Sequence, residues 1–193
     1  IVGNWQVIPE LNYINNFFDN DLFLKTIEER ASGFMKEKEY DHYLFSYHGL
    51  PERQIMKSEI KTCKLGECCN NYGSHNKYCY RAQCFETTKL LTERLNIPKE
   101  KYTVCFQSRL GKTPWIKPYT DDLIDDLAKE GKKNVLAFSP AFISDCLETT
   151  LEVGETYKEQ FIEGGGESWD LVESLNTHPT WVECVVQMIK EKK

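Results

Sequence analysis

No run of eighteen or more apolar residues occurs in the chain, so no bilayer-spanning helix is expected. Excess positive charge is missing as well. The 24 Lys and Arg against 30 Asp and Glu leave a formal net charge of -6, which argues against a nucleic-acid footprint and names no other partner. The first residues carry neither a basic n-region nor a small-residue cleavage site, so no secretory signal is expected. Nor is there an internal repeat or a low-complexity linker, and 193 residues suffice for one core, which predicts a single domain over 1–193. What remains is an ordinary globular composition, 40% hydrophobic and 28% charged. The chain opens on Ile1, within "IVGNWQVI", which reads as a strand already in progress. The expectation is a piece cut from a longer protein, with a partner domain missing.

Apolar periodicity alternates along the chain. Strands are predicted over residues 1–8, 42–47 ("HYLFSY"), 101–108 ("KYTVCFQS"), 134–140 ("NVLAFSP") and, short and last, within 168–176. Helical periodicity covers 19–38 behind an Asn/Asp cap, 80–96, 120–131 with Thr120 or Asp121 as cap and Gly131 at its end, and 144–166 capped by Ser144 or Asp145. A closing helix runs over 179–193 from Pro179, behind a turn fixed by Asn176 and His178. Strands that are continuous apolar runs, each followed by one helix, imply a mostly parallel sheet covered on both faces, a doubly wound three-layer α/β/α domain. Ligands in such sheets bind outside the carboxyl ends of the strands. Three unusual stretches fall there: "HGLPE", "QSRLGKTPWIKPYTD" and "SPAFISDCLE".

His48 ends one of these strands and is followed by a tight Gly49–Pro51 turn that fixes the backbone behind the imidazole. Histidine titrates nearest neutrality and its neutral nitrogen binds first-row metals, so it suits both a general base and a ligand. Asp145, Glu148, Glu152, Glu155 and Glu159 recur at helical spacing and read as an acidic ridge leaving the rim, with Glu148 nearest His48 and Glu152 one step outward. A histidine facing a carboxylate, with a second carboxylate behind, both binds a divalent ion weakly and accepts protons. Porphyrin metallation needs that combination, because two pyrrole protons leave as the metal enters.

Eight cysteines suggest a reducing, cytoplasmic setting, and five of them crowd one insertion at about 57–80 and the helix after it: Cys63, Cys68, Cys69, Cys79 and Cys84. One dense knot in an α/β chain points to metal or redox chemistry. The spacing is not a clean pair of CxxC knuckles, and zinc, a two-iron, two-sulfur cluster and a set of reduced thiols all stay open.

The stretches "FSYHGLPE", "CFQSRLGKTPWIKPYTD", "SPAFISDCLETTLE" and "ESLNTHPTWVE" together resemble the ferrochelatase family, over nearly the whole chain and in the family's order. The resemblance implies Fe(II) insertion into protoporphyrin IX in haem biosynthesis, a lyase-class reaction, and leaves coproporphyrin open as the substrate. By it, His48 matches the catalytic, metal-contacting histidine, Glu148 its paired glutamate, and Glu152 the outer acidic residue that conducts metal ions or protons. Ser108 and Arg109 are then expected to contact a propionate, and Trp115 to form a wall against the macrocycle. Cys146 stands where some relatives carry a second histidine. Some bacterial members hold a cluster on an insertion of this kind. Cysteine-free relatives keep a cysteine at the position of Cys84, so Cys63, Cys68 or Cys69, and Cys79 are expected as ligands before Cys84. The family is built from two similar halves with the porphyrin between them. This chain corresponds to the C-terminal half, and alone it is expected to be inactive. A chelatase for another metal or tetrapyrrole, and a cysteine-metal module on an inactive α/β scaffold, are the alternatives.

Overall fold

A computed structural model of the chain describes residues 2–7, 9–58 and 63–191. Four strands form one sheet: β1 (His42–His48), β2 (Tyr102–Gln107), β3 (Asn134–Phe138) and β4 (Ser168–Leu171). All pairings are parallel, in the spatial order β2-β1-β3-β4, with His48 opposite Gln107 and Phe45 opposite Phe138. The helices are α1 (Asp21–Glu37), α2 (Glu52–Ser58), α3 (Tyr80–Arg94), α4 (Thr120–Lys129), α5 (Tyr157–Glu163) and α6 (Pro179–Lys190). One face of the sheet buries α1, α3 and α6 around Phe45, Leu136 and Phe138. The other buries α4 and α5 around Leu44, Val135 and Ala137. The three-layer α/β architecture is therefore as expected, and alternation along each strand explains it: successive side chains of "LF" in β1 feed opposite cores.

Local signals were obeyed at several ends. Asn20 caps α1, its side chain accepting from the amides of Leu22 and Phe23. Gly131 takes φ +79° just past α4, Asn176 takes φ 47°, and Pro179 starts α6. Four expectations need correcting. No strand lies in the described part of 1–8: Val2–Asn4 form a 3-10 turn, and Trp5 and Val7 are exposed. The edge strands of the sheet are β2 and β4, and neither pairs with this segment among the described residues; residues 1 and 8 lie outside them. The helix expected from Ser144 or Asp145 starts later, because the Asp145 carboxylate accepts from the Ser174 amide and the Asn176 carboxamide instead. From Glu148 to Thr156 it is π-helical. Thr120 and Asp121 do not cap α4, since Thr120 is buried in its first turn and Asp121 is bound by Arg109. The short helix α2 follows the Pro51 turn where only a turn was read.

β1 and β3 are neighbours whose connections leave toward opposite sides of the sheet, so their carboxyl ends open a crevice. At the opposite end His42 is 5% exposed, with Nε2 on the Thr103 hydroxyl and Nδ1 unpartnered. Burial lowers its pKa to about 4, with the charge of Lys132 assisting. A histidine kept neutral by the fold takes up a proton first in the unfolded chain, so stability is full above pH 6.5 and falls as pH drops toward 4. Over that window the wild type is expected to lose about 3 kcal/mol through this group. His42→Asn removes the titration, and urea midpoints measured at pH 7 and pH 4 should converge by that amount relative to wild type.

Candidate active site

At the end of β1 the His48 side chain is half-buried, and its Nδ1–H donates to the Gly49 carbonyl at 2.6 Å. A carbonyl only accepts, so Nδ1 carries a proton and any lone pair the ring offers is at Nε2. The Trp115 and Phe142 rings flank the imidazole at 6.4 and 6.2 Å between centroids. The Tyr80 hydroxyl, from the first turn of α3, donates to the His48 carbonyl at 2.9 Å. Gly49 is required by space: a Cβ there would stand 2.8 Å from the Gln107 carbonyl oxygen and 3.2 Å from the Trp115 ring.

Glu148 opens the π-helical stretch beyond β3. Its carboxylate accepts from its own amide, which is the main reason its pKa is lowered, and from the Cys146 thiol; attraction to the nearby His48 imidazole adds a smaller pull. Glu148 thus lies within electrostatic reach of His48. Glu152 does something else. Its carboxylate accepts from the Ser108 amide (2.9 Å), the Ser108 hydroxyl (2.5 Å), the Gln107 carboxamide (3.2 Å) and the Tyr157 hydroxyl (2.9 Å). Those bonds hold Ser108 in the left-handed region, at φ 62°, where a serine needs outside support. π-helical pitch breaks the 3.6-residue repeat, so no straight acidic ridge runs from Asp145 to Glu159.

Gln107 escaped the sequence reading. It is 1% exposed; its Oε1 accepts from Ser46 at 2.7 Å, its Nε2 donates to the Glu148 carbonyl at 2.8 Å, and its own carbonyl accepts from Gly49 at 2.8 Å. A glutamine closing the apolar run "VCF" was the available signal. Arg109 stacks on Tyr119 and pairs with Asp121 at 2.6 Å. The half-buried Trp115 donates its indole N–H to the Leu110 carbonyl at 2.9 Å. An apolar hollow of about 200 Å³ lies at the same end of the sheet, between Phe17, Phe18, Tyr47, Tyr80, Cys84 and Ile143.

The thiol loop is built, with residues 59–62 of the insertion outside the described ones. Asn76, 2% exposed, donates to the carbonyls of Cys68 and Asn71 and accepts from the Gly73 amide. Cys63 contacts Cys68, and Cys69 contacts Cys79. The bond from Cys69 lowers the Cys79 thiol to about 7, with the amides of Ala82 and Arg81 at the start of α3 helping. Cys84, buried one turn on, packs against Tyr80 and Tyr47. Among the described residues no three or more His, Cys, Asp or Glu side chains are gathered around one point where an ion would sit. So His48, Glu148 and Glu152 are not one cluster. The thiols stand as two contacting pairs, with Cys84 apart.

Fold and rim together define a parallel α/β protein with a histidine and a glutamate at the switch point of its sheet. The ferrochelatase family model matches residues 2–193, and the chain belongs to the ferrochelatase family. It is 40% identical to a ferrochelatase of Legionella pneumophila (strain Lens) over 191 residues, 99% of this chain and 57% of that protein. It is 41% identical to one of Coxiella burnetii (strain Dugway 5J108-111) over 184 residues, 94% of this chain and 52% of that protein. The chain thus spans about half the length of the curated relatives it matches. A crystal structure of a CbiX protein from Marinobacter aquaeolei VT8 superposes with a TM-score of 0.42 at 14% identity, covering 78% of this chain and 94% of that one, too weakly to carry an argument.

Two substitutions test the rim. Gly49→Ala is expected to destabilise by about 1–3 kcal/mol, since the carbonyl it meets cannot swing aside, and to shift Trp115 fluorescence. Gln107→Leu removes one buried hydrogen bond from Ser46, which keeps the Thr120 hydroxyl, and one from the Glu148 carbonyl, with an expected loss of stability of about 1–3 kcal/mol measured by denaturant unfolding.

Proposed function

We propose that this chain is the C-terminal half of a ferrochelatase and supplies the proton-accepting and metal-contacting residues for Fe(II) insertion into a porphyrin, protoporphyrin IX in the first instance. The observation that carries the reading is the pairing at the crevice: His48, whose Nδ1 is taken up by the Gly49 carbonyl, and a Glu148 carboxyl whose pKa is lowered in part by the nearby imidazole. His48 Nε2 takes one pyrrole proton as the ferrous ion, the co-substrate, enters from Glu148, and the Glu148 carboxylate, once it has released the ion, takes the second. Glu152 acts less as a stepping stone for ions than as the anchor that holds the Ser108 turn. Ser108 and Arg109 reach a propionate only by exchanging Glu152 and Asp121 for it, and an arginine already paired on the surface exchanges readily. Trp115 and Phe142 provide a flat apolar wall beside His48.

The hollow of about 200 Å³ is smaller than the 300–1000 Å³ that enclose a small-molecule ligand, which supports a second wall contributed by the other half of the protein. The isolated chain is therefore expected to be inactive. No helix among the described residues is long and apolar enough to cross a membrane. We place the enzyme in the cytoplasm, a reading supported by the free state of its eight cysteines.

The thiol loop supports a second reading. Thiolates are the ligand type of zinc and of a two-iron, two-sulfur cluster, but Cys63, Cys68, Cys69 and Cys79 stand as two separate pairs, so holding such a group would require the pairs to be drawn together. Such a group would supply structural cross-linking or an electron-accepting centre. No step of the metallation passes through it.

In the full-length protein His48→Ala is expected to lower iron insertion by about 100-fold or more, with porphyrin binding retained. Metallation near the wild-type rate would remove His48 from the reaction. A cobalt or other metal preferred over iron in the same assay would turn the assignment toward a different chelatase.

A further inference from the structure

The peptide group between His48 and Gly49 is held from both sides. Its N–H, on Gly49, donates to the Gln107 carbonyl of β2 at 2.8 Å. In a parallel strand the main-chain groups of successive residues face alternate neighbours, so the His48 carbonyl faces away from β2, toward β3. The ladder has run out there: the last β1–β3 pair is Phe45 with Phe138, and His48 lies beyond it. The Tyr80 hydroxyl stands in for the absent strand and donates to the His48 carbonyl at 2.9 Å. This peptide group sets ψ of His48 and φ of Gly49, the two torsions that place the Gly49 carbonyl against the imidazole. That carbonyl accepts the Nδ1–H at 2.6 Å and so decides which way the ring faces. A glycine resists such rotation weakly, and a larger residue is excluded by the Gln107 carbonyl, so the restraint has to come from outside the turn.

We propose that Tyr80 is a positioning residue for metal insertion: through the His48–Gly49 peptide its hydroxyl holds the imidazole in the orientation that leaves Nε2 available to the porphyrin. This rests on His48 being the proton acceptor, as proposed above. The tyrosine is suited to the task. It opens α3, and its ring lines the apolar hollow beside Tyr47, Cys84 and Ile143. Burial pushes its phenol far above the ordinary range, so the hydroxyl remains a donor at every working pH. No proton passes through Tyr80 and no bond changes there.

The test uses the full-length protein and Tyr80→Phe, which keeps the ring in the hollow and removes only the donor. The variant is expected to lower kcat for iron insertion about 10-fold with the porphyrin KM unchanged, since the imidazole is misplaced and this hydroxyl does not hold the porphyrin. Tyr80→p-aminophenylalanine, which restores an N–H at the para position, should recover most of the rate. On the His48→Ala background Tyr80→Phe should add no further loss, because Tyr80 works through the imidazole. Wild-type kcat in Tyr80→Phe, no recovery in the amino variant, or a full additional loss on the His48→Ala background would overturn the proposal while leaving His48 in its role. A wild-type rate in His48→Ala would remove both. Should Tyr80→Phe fail to fold, Tyr80→p-fluorophenylalanine, which fills the para position without donating, takes its place with the same expectations.

Discussion

Because the carboxamide of Gln107 is shut away from water, each of its hydrogen bonds must be met inside the protein, and the groups that meet them come from separate elements. Ser46 lies on β1, the Glu148 carbonyl and the Glu152 carboxylate lie on the π-helical stretch beyond β3, and the residue's own carbonyl receives the amide of Gly49. One residue thus ties both turns to the edge strand, the histidine turn through its main-chain carbonyl and the glutamate turn through its carboxamide. The distances are ordinary; the force of the arrangement is in the burial, since a buried amide left short of partners costs about 1–3 kcal/mol per group. The relative placing of His48 and Glu148 depends on it.

The order of strands and helices could be read in the chain because long apolar runs and amphipathic stretches obey local rules. So could His48, which stands out at the end of "LFSY" before a glycine and a proline. What escaped was decided by tertiary partners. Residues 1–8 have strand-like composition, yet the described part joins no strand and leaves Trp5 and Val7 exposed. Asp145 has the chemistry of a helix cap, yet Asn176 and the Ser174 amide outbid the helix for it. Gln107 looked like any polar residue ending a strand, and only the packing around it shows three dependants.

The acidic ridge is the instructive case. Carboxylates at 145, 148, 152, 155 and 159 fall on one line only if the helix keeps 3.6 residues per turn. The π-helical stretch from Glu148 to Thr156 widens the turn, and it swings Glu152 inward to the Ser108 hydroxyl and the Tyr157 hydroxyl. A wide turn is a costly local geometry that seldom persists without tertiary support. Here the support is visible: Gln107 donates to the Glu148 carbonyl at the start of the wide stretch, and Glu152 ties the same stretch to a serine in the left-handed region. The pitch and the rim are therefore one construction, and spacing rules read along the sequence could not have found it.

The first turn of α3 joins this rim to the thiol loop. Tyr80 holds the His48 carbonyl, Arg81 holds the Lys117 carbonyl at the end of the segment that carries Trp115, and Cys79 stands at the cap of the same helix. Any group that tightened Cys69 and Cys79 would act on the backbone of His48 through a single intervening residue. The converse also holds. Since Tyr80 and Arg81 fix the start of α3 from the sheet side, the thiols of the loop inherit a rigid wall on which to gather. A loop thirty residues removed from the histidine in sequence is in this way a structural neighbour of its backbone. The histidine turn and the thiol loop are joined by hydrogen bonds to main-chain carbonyls, with no contact between their side chains required.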